Sequence, residues 1–377
     1  MDAERSTATA RRALGPLPWV VACAFGLWAC APETEPIAVA GVEAEVAEIA
    51  AAGLVELDSG TTERLQAIDP GDGVVLWASG VGGVVTRSLD GGRTWTARTV
   101  PGAAELQLRD VEAFGADLAY ALAAGLGDRS RIFRTTDGGA SWTELWRNDL
   151  PEAFYDCFDF WSPQRGLAFS DSVGSELPIV RTADGETWRA GVVQPVAALD
   201  GENGFSASGT CLVVAAGDRV WFGTGAVGSA RVLRSGDGGA TWEAAVTPIF
   251  ADGQAAGVMA LALDDGDALY AFGGDIADSA SRGRRLARSG DGGVTWELLP
   301  GEPDFAGAIY GGAVRGAGAG AELLAVGPGG AAYSPDAGES WMAVDQRSWW
   351  SAAWSPPGAA LLVGPEGRIA RWNPPAA

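Results

Sequence analysis

From residue 54 to residue 373 the chain alternates short apolar runs with clusters of Gly, Asp and Pro. The second such unit is representative. "LRDVEAF" (108–114), "LAYALAA" (118–124), "SRIFRTT" (130–136) and "SWTELW" (141–146) are β-rich runs separated by turn residues. Runs this short, bounded this way, predict strands joined by hairpins rather than helices. Each unit parses into four strands, A to D. The A–B turns are "DPGDG" (69–73), "FGAD" (114–117), "SPQRG" (162–166), "AAGD" (215–218), "DDGD" (264–267), "GAGAG" (316–320) and "SPPG" (355–358).

An octet between strands C and D recurs: "SLDGGRTW" (88–95), "TTDGGASW" (135–142), "TADGETW" (182–188, one residue short), "SGDGGATW" (235–242), "SGDGGVTW" (289–296) and "SPDAGESW" (334–341). Its tryptophans, Trp95, Trp142, Trp188, Trp242, Trp296 and Trp341, stand 45–54 residues apart. That is the period of β-propeller blades. The seventh unit supplies "RSWWSAAW", "AALLVG" and "RIARWN" and then has no strand D. "GLVELDSG" (53–60), ahead of the first strand A, is a spare strand. The expected fold is all-β: a seven-bladed propeller of four-stranded blades over 54–377, its last blade closed by this N-terminal strand. Closure removes exposed sheet edges.

The octet S-x-D-x-G-x-T-W is an Asp-box, and the chain resembles the Asp-box (BNR-repeat) propeller superfamily, which includes sialidases and photosystem II assembly/stability factors. Six boxes in seven blades resemble the assembly-factor group most. The box is specific for fold and uninformative about activity. Its carboxylate, Asp90, Asp137, Asp184, Asp237, Asp291 or Asp336, is expected to accept turn N–H groups, and its Trp to bury where strand D packs. Six copies serve six turns, whereas a catalytic centre needs one. Arg87, Arg134, Arg181, Arg234 and Arg288 precede five boxes, and Tyr333 the sixth. The first reading pairs these arginines with the next strand or blade. The second is a guanidinium surface for a partner, as the resemblance to assembly factors implies.

Charge and composition narrow the function. The chain has 377 residues, a formal net charge of −22 and no His. Every base is Arg. Such acidity argues against nucleic-acid binding. Without His there is no Ser-His-Asp, Cys-His or His-zinc site. Neither a cofactor nor a metal is expected. Arg5, Arg11 and Arg12, an apolar run at 13–29 and "LWAC" (27–30) read as a lipoprotein-type signal peptide over 1–29. Cys30 is then the lipidated first residue, 30–53 a tether, and the location exported, on the periplasmic or cell-surface face. "VVAC" at Cys23 and a plain signal peptide are the alternatives. The membrane is expected to be met through the lipid anchor only. Cys157 and Cys211 remain; export permits a disulfide, and buried free thiols are the preferred reading.

Strands in a blade run up and down, so the boxes share a face with the A–B turns. The B–C and D–A loops occupy the other face. They are short in blades 1, 6 and 7 and long in blades 3 to 5: 170–178, 223–230 and 273–285 for B–C, 148–156, 194–204 and 247–257 for D–A. Long loops on a rigid scaffold carry binding residues. The candidates there are Tyr155, Asp156, Asp171, Glu202, Asp252, Asp275, Arg282, Arg284 and Arg285. Asp171, Glu202 and Asp275 could converge as carboxylates for glycoside hydrolysis or cation binding. The bland reading is hydrogen bonding within the loops. Trp349 and Trp350 are expected to pack between blades.

Three motifs carry no chemistry. "GTGAVG" (223–228) is followed by a strand, not the helix a dinucleotide site needs. "DDGD" lacks EF-hand spacing. Cys157 in "FYDCFDFW" (154–161) stands beside acids, which do not activate a thiol. The expected function is a non-catalytic scaffold for a protein or assembly intermediate. A sialidase-like glycosidase is the alternative, with Tyr155 or Tyr310 beside Glu202 and a glycan ligand; the "F/Y-R-I-P" stretch of sialidases is absent.

Overall fold

The computed structural model describes residues 53–191, 195–253, 255–356 and 358–375. The targeting segment, Cys30 and nearly all of the tether lie outside these residues.

Seven four-stranded antiparallel sheets follow one another along the chain. The A strands are Leu65–Asp69, Leu108–Ala113, Tyr155–Ser162, Leu212–Ala215, Ala256–Leu263, Gly311–Arg315 and Ser351–Ser355. Blade 7 is completed by the N-terminal strand Leu54–Leu57, which pairs with Ile369–Trp372, Leu54 opposite Trp372. The seven-bladed ring and its closure are as expected from the repeats.

The core lies between blades. Leu361, Val363 and Ile369 of blade 7 pack on Leu65, Leu76 and Val84 of blade 1. The B strands Leu76–Gly80, Ala119–Ala123 and Ala359–Val363 are buried along their whole length. A strand covered on both faces reads as a continuous apolar run, which is the pattern these segments show.

Each octet closes on itself. Ser88 Oγ donates to Asp90 Oδ1 at 2.8 Å and accepts the Gly92 N–H at 2.8 Å. The Thr94 N–H and hydroxyl donate to the same carboxylate at 2.9 and 2.6 Å. Trp95 Nε1 returns to the Gly92 carbonyl. Asp137, Asp184, Asp237, Asp291 and Asp336 repeat the core of this arrangement. The octets sit against the A–B turns: Gly138 donates to the Asp117 carbonyl and Gly238 to that of Asp218. Three of the preceding arginines reach the next blade. Arg87 bonds the Ala116 carbonyl, Arg134 that of Gly185 and Arg234 that of Gly293. These guanidinium groups stitch blades together.

The preference for free thiols is corrected. Cys157 and Cys211 form a disulfide with Cα atoms 6.0 Å apart. Cys157 lies on strand A of blade 3 and Cys211 directly before strand A of blade 4. A strands converge on the ring axis, and this brings two residues 54 apart in sequence within bonding range.

Candidate functional site

The loop-bearing face is organised around a segment that enters the ring axis. At the end of the D–A loop that leads into blade 4, residues 204–210 ("GFSASGT") run through the middle of the ring instead of returning along the surface. They meet blades 1, 2, 3, 5, 6 and 7. Arg109 of blade 2 donates to Ser206 Oγ at 2.9 Å. Asp171 of blade 3 accepts the Gly204 N–H at 2.7 Å. Leu261 of blade 5 donates to the Thr210 carbonyl, and Ser351 of blade 7 to that of Ser208. Phe205 and Ala207 pack on Met259, Ala308 and Tyr310 of blades 5 and 6. Gly209, at φ 74°, lies against blades 1 and 2: a Cβ there would stand 3.0 Å from Ala67 Cβ and 2.6 Å from Asp110 Oδ1. Small residues are required because seven A strands crowd the same axis.

The A strands are shaped for this plug. Four carry a bulge near their loop-face end, between Leu65 and Ala67, Leu108 and Asp110, Tyr155 and Cys157, and Val258 and Ala260. The extra residues are Gln66, Arg109, Asp156 and Met259. A bulge re-aims one side chain out of the ladder, and Arg109 and Met259 both reach the plug.

The sequence candidates separate into distinct local roles. Asp156 and Asp171 are brought together. Burial, then the charge of Asp171, drives the Asp156 carboxyl far above the usual carboxylate range, and burial raises Asp171 as well. Two buried carboxyls in contact share a proton rather than both ionise. Glu202 is fully buried in an ion pair with Arg231. It also accepts from the Thr224 hydroxyl at 2.6 Å and the Leu199 N–H at 2.8 Å. Asp275 caps the Ala277 N–H at 2.8 Å. Asp171, Glu202 and Asp275 are thus each held by a separate local partner. Among the described residues no group of three or more His, Cys, Asp or Glu is placed to hold a metal.

Arg285 is also spent internally. It bonds Glu302 and the carbonyls of Pro303, Phe305 and Gly307, latching the B–C loop of blade 5 to the loop that leads into blade 6. Arg284, in the left-handed region at φ 57°, donates to the Pro248 carbonyl. Arg282 pairs with Asp304 at the surface. Asp252 is exposed. The Tyr155 ring is buried against Trp146, centroids 4.8 Å apart. Trp349 is wholly buried, and Trp350 meets Tyr310 edge-on at 5.1 Å while Arg64 lies 4.3 Å over its ring.

Sequence reasoning missed a set of acids deeper in the channel. Asp69 accepts the Ala113 N–H, Asp110 that of Phe158 and Asp159 that of Val214. In each pair the acid and the amide belong to neighbouring A strands, so a carboxylate supplies the bond that a missing sheet partner would. With Glu112 they border a cavity of about 170 Å³ on the A–B side of the plug. Burial raises all four carboxyls, Asp159 to about 7. The available signal was one acid at a similar place in each of the first three A strands.

The surface is uneven. Among the described residues, exposed large aliphatics on the loop face are Leu126, Leu150, Leu199, Val227 and Ile276. Leu150, Leu199, Val227 and Ile276 fall in the long connections, and Leu126 in the B–C loop of blade 2.

No protein-family model and no curated protein sequence matches the chain. Solved structures do. "YCF48 bound to D1 peptide" aligns with a TM-score of 0.57 and 18% identity, over 86% of this chain and 97% of that one. YCF48 from Cyanidioschyzon merolae aligns at 0.58 and 17%, over 86% and 100%. A streptogramin B lyase aligns at 0.60 and 12%, over 85% and 97%. At these identities the likeness establishes the β-propeller fold, and it is shared by a peptide-bound protein and by an enzyme.

Proposed function

We propose that this chain is an exported, lipid-anchored, non-catalytic propeller that docks a protein or assembly intermediate on its loop-bearing face. One observation carries the reading: four of the five exposed aliphatics of the loop face, among the described residues, lie in the long loops. Exposed apolar side chains gathered on one part of an otherwise charged surface mark an interaction site. The site carboxylates point the same way, because Asp171, Glu202 and Asp275 are committed to internal bonds. The fold shared with a YCF48 that binds a D1 peptide is consistent with a photosystem II assembly factor-like scaffold. The lipid anchor rests on Cys30 and its preceding Leu27 and Ala29.

The test substitutes the surface and leaves the buried latches alone. A chain carrying Leu126→Asp, Leu199→Asp, Val227→Asp and Ile276→Asp is compared with the unaltered chain in affinity capture from the native host. Loss of the captured partner with an unchanged melting temperature supports the docking face, and equal recovery overturns it. Palmitate labelling that disappears in Cys30→Ser tests the anchor.

A further inference from the structure

On the loop face of blade 3 an apolar groove of about 360 Å³ opens between the D–A loop 148–156 and a two-stranded ribbon. The ribbon pairs Glu176–Leu177 with Val196–Ala197 and belongs to none of the seven blade sheets. Leu150, Tyr155, Val173, Leu177, Ile179 and Val196 line the groove. Its volume lies within the range of about 300–1,000 Å³ found for ligand pockets.

The rim carries acidic charge without internal compensation. Glu176 lines the groove and Asp149 stands beside its floor; both are exposed, and neither makes an ion pair among the described residues. Asp149 lies close enough to the groove floor that, after burial, its charge further raises the Tyr155 phenol. The net charge of −22 adds a long-range field of the same sign.

We infer that this groove binds an extended peptide segment that places bulky aliphatic side chains inward and carries Arg or Lys beside them. The apolar walls select the anchor, and the carboxylate rim selects the flanking charge. An extended segment, whose alternate side chains face one way, can place its aliphatics in the groove and its charges at the rim. The inference rests on the docking function proposed above and specifies where and what it docks.

The probe is a fluorescein-labelled Gly-Arg-Arg-Leu-Ser-Leu-Arg-Arg-Gly peptide, followed by anisotropy on the full chain. Saturable binding is expected, weakening as salt rises. Replacing the probe leucines by Ser, or its arginines by Glu, should each lower affinity about tenfold or more, as loss of a central anchor does. Leu150→Asp should do the same from the protein side, and Asp149→Lys with Glu176→Lys should weaken the salt dependence. These positions are exposed, so the variants should melt like the unaltered chain. No saturation, or equal binding by the groove variants, overturns the inference. A dimer in sedimentation that dissociates with Leu150→Asp also overturns it, assigning the groove to a second copy. The four-aliphatic variant above leaves Leu150 intact. Partner capture lost there but kept in Leu150→Asp rejects the groove and preserves the docking face. Capture kept in both rejects the docking face itself.

Discussion

Arg109 Nη1 and Ser206 Oγ meet at 2.9 Å across the ring, 97 residues apart in the chain. The same guanidinium is bound by Gln107, so it is held before it reaches the plug. A charge-assisted bond in such a site contributes about 1.5–3 kcal/mol. Arg109→Met should lower stability by that amount. It should also speed proteolytic cleavage within 203–211, read by mass spectrometry of early fragments. Unchanged cleavage there would mean that the plug does not depend on this contact.

Stability should peak on the acid side of neutrality, because two sets of carboxyls act in opposite directions. Asp137 and Asp237 are held down to about 2, by the hydroxyls of Ser141 and Thr241 first and then by backbone N–H groups. Their folded values lie below the unfolded value of about 3.9. Their contribution is therefore present above pH ~4 and lost as pH falls toward 2. Asp159 is pushed up to about 7 by burial, and Asp110, Glu112, Asp156 and Asp171 are raised too. These groups hold protons in the folded chain that the unfolded chain releases. Their contribution is full below pH ~4 and declines as pH rises, for Asp159 until about 7. Melting temperatures measured from pH 2.5 to 8 (about the range these groups span) should pass through a maximum near pH ~4–5. Asp159→Asn should flatten the decline on the neutral side. A flat profile across the whole range would contradict the raised set.

The disulfide spans 54 residues and roots the plug, since Cys211 directly follows Thr210. Closing a loop of that length is worth about 4 kcal/mol in the chain-entropy account. Cys157→Ala with Cys211→Ala should lower the denaturant midpoint accordingly. Alkylation of the unreduced, denatured protein should leave both cysteines unlabelled; labelling there would remove the bond from the native protein.

Glu202 looks like a loop acid in the sequence and is a buried partner of Arg231 in the fold. Removing one member of a buried pair strands the other charge at a cost of about 3–5 kcal/mol. Glu202→Ala should therefore unfold at markedly lower denaturant. If it instead keeps its stability and loses only partner capture, Glu202 belongs to the docking surface and its structural role is wrong.

The octets made the blades legible because each is a local device. Ser88, Asp90 and Thr94 bond one another within a few residues, so their spacing alone discloses the turn, and six copies disclose the period. The missing seventh strand D and the spare N-terminal strand disclosed ring closure by the same arithmetic. The long loops of blades 3 to 5 were legible as insertions, and with them the sector that carries most of the exposed aliphatics. The roles of Glu202, Arg285, Cys157 and the "FSASGT" plug were not legible. Their partners are distant in sequence: Ser351 reaches the Ser208 carbonyl across 143 residues, and Cys157 meets Cys211 across 54. Only convergence of the A strands on one axis sets which polar groups lose water, and a buried polar group must then find whichever partner the ring places beside it. The chain by itself determined the number, order and orientation of the blades through repeated short-range bonds. The tertiary structure decided what occupies their centre and which acids remain free at the surface, because burial is a property of the closed ring.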